Sequence, residues 1–200
     1  ISGELCGGKT LISTRSQINT SLFKTQVVSY DDNTGAINEE VSITGYNAIP
    51  LIRFVKNRVI FGVGQYLYEL TDFSSDITLT TNVNGTAQAD PIVDMRDDSW
   101  QWTGACSTPT AILVSGYGNA GSTIQSLTVD DTGSLPDFSA PTTVAEFPIT
   151  ENVLDMCSYL GTYIGLATTQ GIRVGVAAQQ GLTYGPLIGC ELPRDQNSAG

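Results

Sequence analysis

A chain of 200 residues is long enough to bury a core, and one or two domains are expected. Twenty acidic against nine basic side chains leave a net charge of −11, which repels phosphate backbones and anionic lipid and argues against nucleic-acid and membrane-surface roles. No histidine is present, which removes Ser-His-Asp triads, Cys-His nucleophiles and imidazole zinc sites together.

Helical periodicity is nearly absent and strand signals are dense. A weak hairpin pattern occupies Lys9–Asp32, followed by a turn at Asp31-Asp32-Asn33-Thr34-Gly35 and a strand from Ala36-Ile37. A short apolar strand at Pro50–Phe54 leads into a clear hairpin over Arg58–Leu70, in which Tyr66, Tyr68 and Leu70 alternate with Leu67 and Glu69. After an Asn84-Gly85 turn the pattern restarts. Pro91–Met95 reads as the next first strand, Thr110–Val129 as the next hairpin, and Leu135 as part of a fourth strand after the Asp130–Gly133 turn. The last unit runs from Val153–Cys157 through the hairpin Thr162–Val176 to Leu182-Thr183-Tyr184. Val93-Asp94-Met95 returns as Leu154-Asp155-Met156, and Ile60, Ile112 and Ile164 align at equal steps of 52.

A period near 50 residues made only of strands is the signature of propeller blades. The predicted fold is all-β: a β-propeller of about four blades, each a four-stranded antiparallel sheet, complete or part of a larger ring. The blades are expected over 1–48, 49–90, 91–150 and 151–192, with a flexible tail over 193–200. No apolar run nears the roughly 20 residues needed for a spanning helix, so no membrane insertion is expected. The start at Ile1 and the tail Asn197-Ser198-Ala199-Gly200 read as a piece of a longer polypeptide.

The third unit differs from its neighbours. Seven residues separate Arg53 from Ile60 and nine separate Asp155 from Ile164, but 18 separate Asp94 from Ile112. The extra stretch, Asp97–Pro109, holds both tryptophans of the chain. Side chains at i and i+2 of a strand point the same way, so Trp100 and Trp102 are a candidate platform for a sugar or a protein, with Asp97, Asp98 and Gln101 supplying polar contacts. The alternative is that both indoles plug the gap between blades.

Carboxylates are the remaining catalytic option. Asp94, Asp97, Asp98, Glu151 and Asp155 lie near blade starts, and a glycosidase needs two carboxyl groups about 5–10 Å apart, one with a raised pKa. Recurrence of Asp94 and Asp155 from blade to blade fits a repeated turn or inter-blade hydrogen bond instead. Sialidase-type Ser-x-Asp-x-Gly-x-x-Trp boxes are not evident. The Asp31–Gly35 segment has a faint calcium-loop look but lacks alternating ligands and a distal glutamate, so a hairpin turn is expected there. Gly116–Gly121 joins two strands rather than opening a helix, and is expected to be a mobile hairpin loop rather than a phosphate cradle. No cofactor or metal is expected. Cys106 and Cys157 are read as buried free thiols, and Cys6 with Cys190 as a pair able to staple first and last blades if the ring closes.

The final unit also carries a resemblance. Tyr159-Leu160-Gly161, then Thr168-Thr169-Gln170-Gly171-Ile172-Arg173, then Gly181-Leu182-Thr183-Tyr184-Gly185-Pro186-Leu187 is similar to a blade of the propellers in tail proteins of phages that infect actinobacteria. It covers the 36 residues from Val153 to Ile188 closely and the other blades only through the repeat. The resemblance implies a minor tail, tail-tip or tail-fibre protein on the virion, with no catalytic residue. It would be homo-oligomeric, with other tail proteins and a host cell-surface glycan or protein as partners. Hemopexin-like four-bladed domains are similar in size, but their Asp-Ala-Ala-type motif is missing here.

Overall fold

Short runs of β-branched and aromatic residues, interrupted by Gly, Asn and Asp, build strands of two to nine residues and no helix among the described residues. The structure, a computed structural model, describes residues 2–6, 9–20, 23–44, 50–56, 58–70, 91–130, 137–178 and 181–188. Four four-stranded antiparallel sheets follow one another along the chain. The first joins β1 (Ser2–Cys6), β2 (Lys9–Gln17), β3 (Phe23–Asp31) and β4 (Ile37–Thr44). The second joins β5 (Leu51–Val55), β6 (Arg58–Val63), β7 (Tyr66–Leu70) and β8 (Val93–Asp94). In the third, β9 (Gln101–Ser107), β10 (Ile112–Gly118) and β11 (Gly121–Leu127) are completed by β14 (Thr142–Glu146), after a two-stranded excursion of β12 (Val129–Asp130) and β13 (Asp137–Phe138). The fourth is β15 (Val153–Tyr159), β16 (Tyr163–Thr168), β17 (Gly171–Ala178) and β18 (Gly181–Tyr184).

The sheets stack face to face in a propeller-like arc. Their first strands lie side by side, β1 against β5, β5 against β9 and β9 against β15, while the first and fourth sheets make no comparable contact among the described residues. Among the described residues the ring is therefore open. Burial follows this geometry: no sheet owns a core, and each core lies between two sheets. Leu11 and Val27 of the first sheet meet Ile52, Val59, Phe61 and Val63 of the second. Ile60 and Leu67 of the second meet Trp102, Ile112 and Val114 of the third. Leu113, Ile124 and Phe147 of the third meet Met156, Ile164, Leu166 and Leu182 of the fourth.

Three sequence expectations change here. Val93-Asp94 does not open the third sheet; it pairs with Tyr66-Leu67 as the last strand of the second. The stretch read as an insertion supplies the third sheet's true first strand, β9. Equal steps of 52 also put the isoleucines out of register. The tight hairpins close at Val63↔Tyr66, Gly118↔Gly121 and Thr168↔Gly171, so equivalent positions are spaced by 55 and then 50 residues. Val59, Val114 and Ile164 share one position, facing the preceding sheet, and Ile60 faces the following one. A β-bulge at Ser115/Gly116 and unequal turns cause the slip. Finally, Cys106 is buried but Cys157 is exposed. The Asn84-Gly85 turn, Leu135, the 193–200 tail, the Cys6 side chain and Cys190 lie outside what is described.

Candidate functional site

The Asp97–Trp102 segment is structural in its geometry. Trp100 and Trp102 are each 4% exposed and pack edge to face, with ring centroids 5.4 Å apart, in the core between the second and third sheets. They form no surface platform, which corrects that expectation and matches the plug alternative. Glycines make the room: a Cβ on Gly62 would lie 2.8 Å from Trp102, and one on Gly116 would lie 2.6 Å from Trp100. Asp97 accepts hydrogen bonds from the Ser99 backbone N–H at 2.9 Å and from its hydroxyl at 2.5 Å, and Ser99 Oγ accepts one from Asn119 N at 2.8 Å. This small turn latches the β10–β11 hairpin. Gln101 Oε1 accepts from the Tyr117 hydroxyl at 3.3 Å, and Asp98 is exposed.

The other acidic residues are also held. Asp94 Oδ1 accepts from Arg96 N at 2.9 Å. Asp155 accepts from Met156 N at 2.8 Å and faces Arg53 Nη2 at 3.5 Å, an ion pair that links the second sheet's inner strand to the fourth's. Gly104 of the intervening strand lets them approach, because a Cβ there would fall 2.9 Å from Asp155 Oδ1. Glu151 is 2% exposed and is gripped by Arg173, Nε to Oε1 at 2.6 Å and Nη2 to Oε2 at 2.7 Å. Arg173 also donates to Gly185 O at 2.9 Å and lies over the Tyr184 ring. Hydrogen bonding from Arg173 holds the Glu151 carboxyl below its usual range, the opposite of what a general acid requires. Asp31 is likewise lowered, by the backbone N–H groups of Thr34 and Asn33, which take its carboxylate as an ordinary turn cap. Among the described residues no group of three or more His, Cys, Asp or Glu is arranged to hold a metal.

An uncharged cleft of about 320 Å³ opens between the third and fourth sheets. It is lined by six hydroxyl side chains, Thr108, Thr110, Ser126, Thr128, Thr142 and Thr143, and floored by Ala111, Leu113, Val144, Ala177, Ala178 and Gly181. Thr108 is committed to Ala111, donating to its carbonyl at 3.2 Å and accepting from its N–H at 3.0 Å. Thr143 is committed to Gln125, at 2.9 and 3.2 Å. The remaining four hydroxyls line the cleft and are free to face a ligand. Sequence reading missed this site. Its signal, the abundance of Ser and Thr, cannot be localised until the pairing of β11 with β14 places residues 126 and 142 side by side.

No protein-family model matches the chain, and no curated protein matches it. Among solved structures, a putative 6-phosphogluconolactonase from Bacteroides uniformis is similar in fold, with a TM-score of 0.58 and 13% identity over 92% of this chain and 55% of that one. At that identity the likeness is one of fold alone, and this chain spans about half (55%) of that protein's length.

Proposed function

We propose that the protein is a structural and adhesive module of a phage tail, carried on the virion, whose propeller-like scaffold binds a neutral glycan or protein surface rather than turning over a substrate. The tail assignment rests on the resemblance of the Val153–Ile188 segment. The adhesive reading is carried by the hydroxyl-lined cleft between the third and fourth sheets. Hydroxyls both donate and accept, as sugar hydroxyls do, and a cleft without charge does not repel a neutral polysaccharide even on a chain of net charge −11. The non-enzymatic part is supported by Asp94, Asp97, Glu151 and Asp155, each used in a turn or an ion pair.

The test is calorimetric titration with neutral fragments of host cell-wall polysaccharide, repeated with Thr142→Val and Ser126→Ala. Each lost hydrogen bond is worth about 0.5–1.5 kcal/mol, so affinity should fall roughly 2- to 12-fold per change. Binding indifferent to both changes would remove the cleft from the proposal. Release of reducing sugar, or hydrolysis of a phosphorylated sugar lactone of the class named in the structural neighbour, abolished by Asp94→Asn or Asp97→Asn, would replace adhesion with catalysis.

A further inference from the structure

Within this chain one type of junction is made three times: the face a sheet turns toward its successor is covered by that successor. On the fourth sheet no described residue covers the same face. Pairing places Ala167 and Ile172 in one row, Cys157, Gly165 and Val174 in the next, and Tyr159, Tyr163 and Val176 in the third, while Asp155 at the end of the first row turns its carboxylate back to Arg53. Ile172, Val174 and Val176 are 42–44% exposed, Tyr163 50% and Tyr159 68%, a contiguous apolar surface of the kind that marks an interface.

Two comparisons within the molecule show what the face is shaped for. Cys106 and Cys157 sit on first strands and point toward the following sheet. Cys106 is buried by the fourth sheet, and its thiol is pushed up to about 12, chiefly by that burial, whereas Cys157 lies open. Ala167, by the hairpin register, stands where Gly62 stands in the second sheet. Gly62 receives Trp102 from the next sheet; Ala167 instead lines an empty recess of about 220 Å³, walled also by Asp155, Met156, Cys157, Gly165, Leu166 and Ile172.

The complementary half of such a junction also lies in this chain. The first sheet turns Leu11 and Val27 toward the second, and its opposite side carries Ile12 and Val28, paired across β2 and β3, with Tyr30 at 39% exposure beyond them. We propose that the fourth-sheet face of one copy packs on the Ile12–Val28 side of a second copy's first sheet. The contact is head to tail and, made twice, closes two four-sheet arcs into one eight-bladed ring. Eight blades lie within the range that propellers adopt, and a heterologous contact that closes gives a finite assembly.

Sedimentation velocity of the 200-residue chain over a range of concentrations tests it, together with alkylation of Cys157 followed by peptide mass mapping. The expected species has twice the 21.2 kDa chain mass, with Cys157 alkylated at least tenfold more slowly at high concentration than at low. Val174→Asp and Ile12→Asp should each give monomers with Cys157 alkylated freely at every concentration, and an unchanged far-ultraviolet circular dichroism spectrum shows that the sheets persist. A monomer at all concentrations overturns the proposal, as does an open-ended ladder of larger species. A dimer that survives Ile12→Asp but not Val174→Asp also overturns it, because that pattern means two fourth sheets facing each other.

Discussion

Glycine and tryptophan fit one another at single positions in this molecule, and the consequence is a steep penalty for adding one carbon. A Cβ at Gly62 would meet Cβ, Cγ and Cδ1 of Trp102, all at 2.8 Å, and the indole has no room to swing because it is 4% exposed in a filled core. Gly62→Ala should therefore cost about 1–3 kcal/mol in urea unfolding, as overpacking does. In a Trp102→Ala background the same change should cost less, since only Cβ of the three atoms it strikes remains, and a double-mutant cycle reads that coupling. Equal penalties in both backgrounds would mean the strain lies elsewhere. Ile112 makes the opposite test. It is 0% exposed between the second and third sheets, and Ile112→Ala should lose about 2–5 kcal/mol by leaving a cavity. Both tryptophans were conspicuous in the sequence, but their role was not. Composition marks a large aromatic residue, and only the facing glycines, 40 residues earlier at position 62 and 16 later than Trp100 at position 116, show that it is a plug.

At the level of strands, the repeating hairpins are legible because β-branched runs cut by Gly and Asp need no tertiary context to be recognised: β6–β7 and β10–β11 fall inside the expected stretches, and β16–β17 overruns its own only at Ala177-Ala178. Register was not legible. A side chain's face depends on the parity of each turn and on the bulge at Ser115/Gly116, and one extra residue exchanges inside for outside. The two-residue β8 was misassigned for a related reason: a strand that short carries no periodicity, and its place is fixed only by pairing with Tyr66-Leu67. The fourth sheet is tied together by another feature without a sequence period, the Glu151–Arg173 pair, whose side chains are 3% and 14% exposed. Removing one partner of a buried pair leaves the other unpaired, so Glu151→Gln should cost about 3 kcal/mol at pH 7. Because folding lowers this carboxyl's pKa, the pair stabilises fully above the unfolded value near 4.5 and is lost as pH falls through the folded value below it. The wild-type and Glu151→Gln midpoints in urea should therefore differ at pH 7 and converge as the pH falls below the unfolded value near 4.5. A gap that stays constant with pH would mean that Glu151 acts by packing rather than by charge.

Across the whole molecule, stability must be distributed unevenly, because every core is shared between neighbours. The second and third sheets bury both faces: β6 is buried at all six positions, and Ile112, Leu113 and Val114 of β10 are 0–4% exposed although they point to opposite sides. The fourth sheet buries one face only, with Ile164 and Leu166 covered while Tyr163 and Val174 remain 50% and 43% exposed. In such nearest-neighbour stacks an end unit loses one interface on opening, whereas a middle unit must break two. Native-state hydrogen exchange in dilute solution should accordingly show the β6 and β10 amides as the slowest, exchanging through opening of most of the chain, with β16 and β17 exchanging through a smaller and cheaper opening. Denaturant should then lower the opening free energy of β6 and β10 more steeply than that of β16 and β17, because more surface is uncovered. Equal protection and equal slopes in all three sheets would mean that the arc unfolds as one unit, and that its strength comes from something other than the stacking of one sheet upon the next.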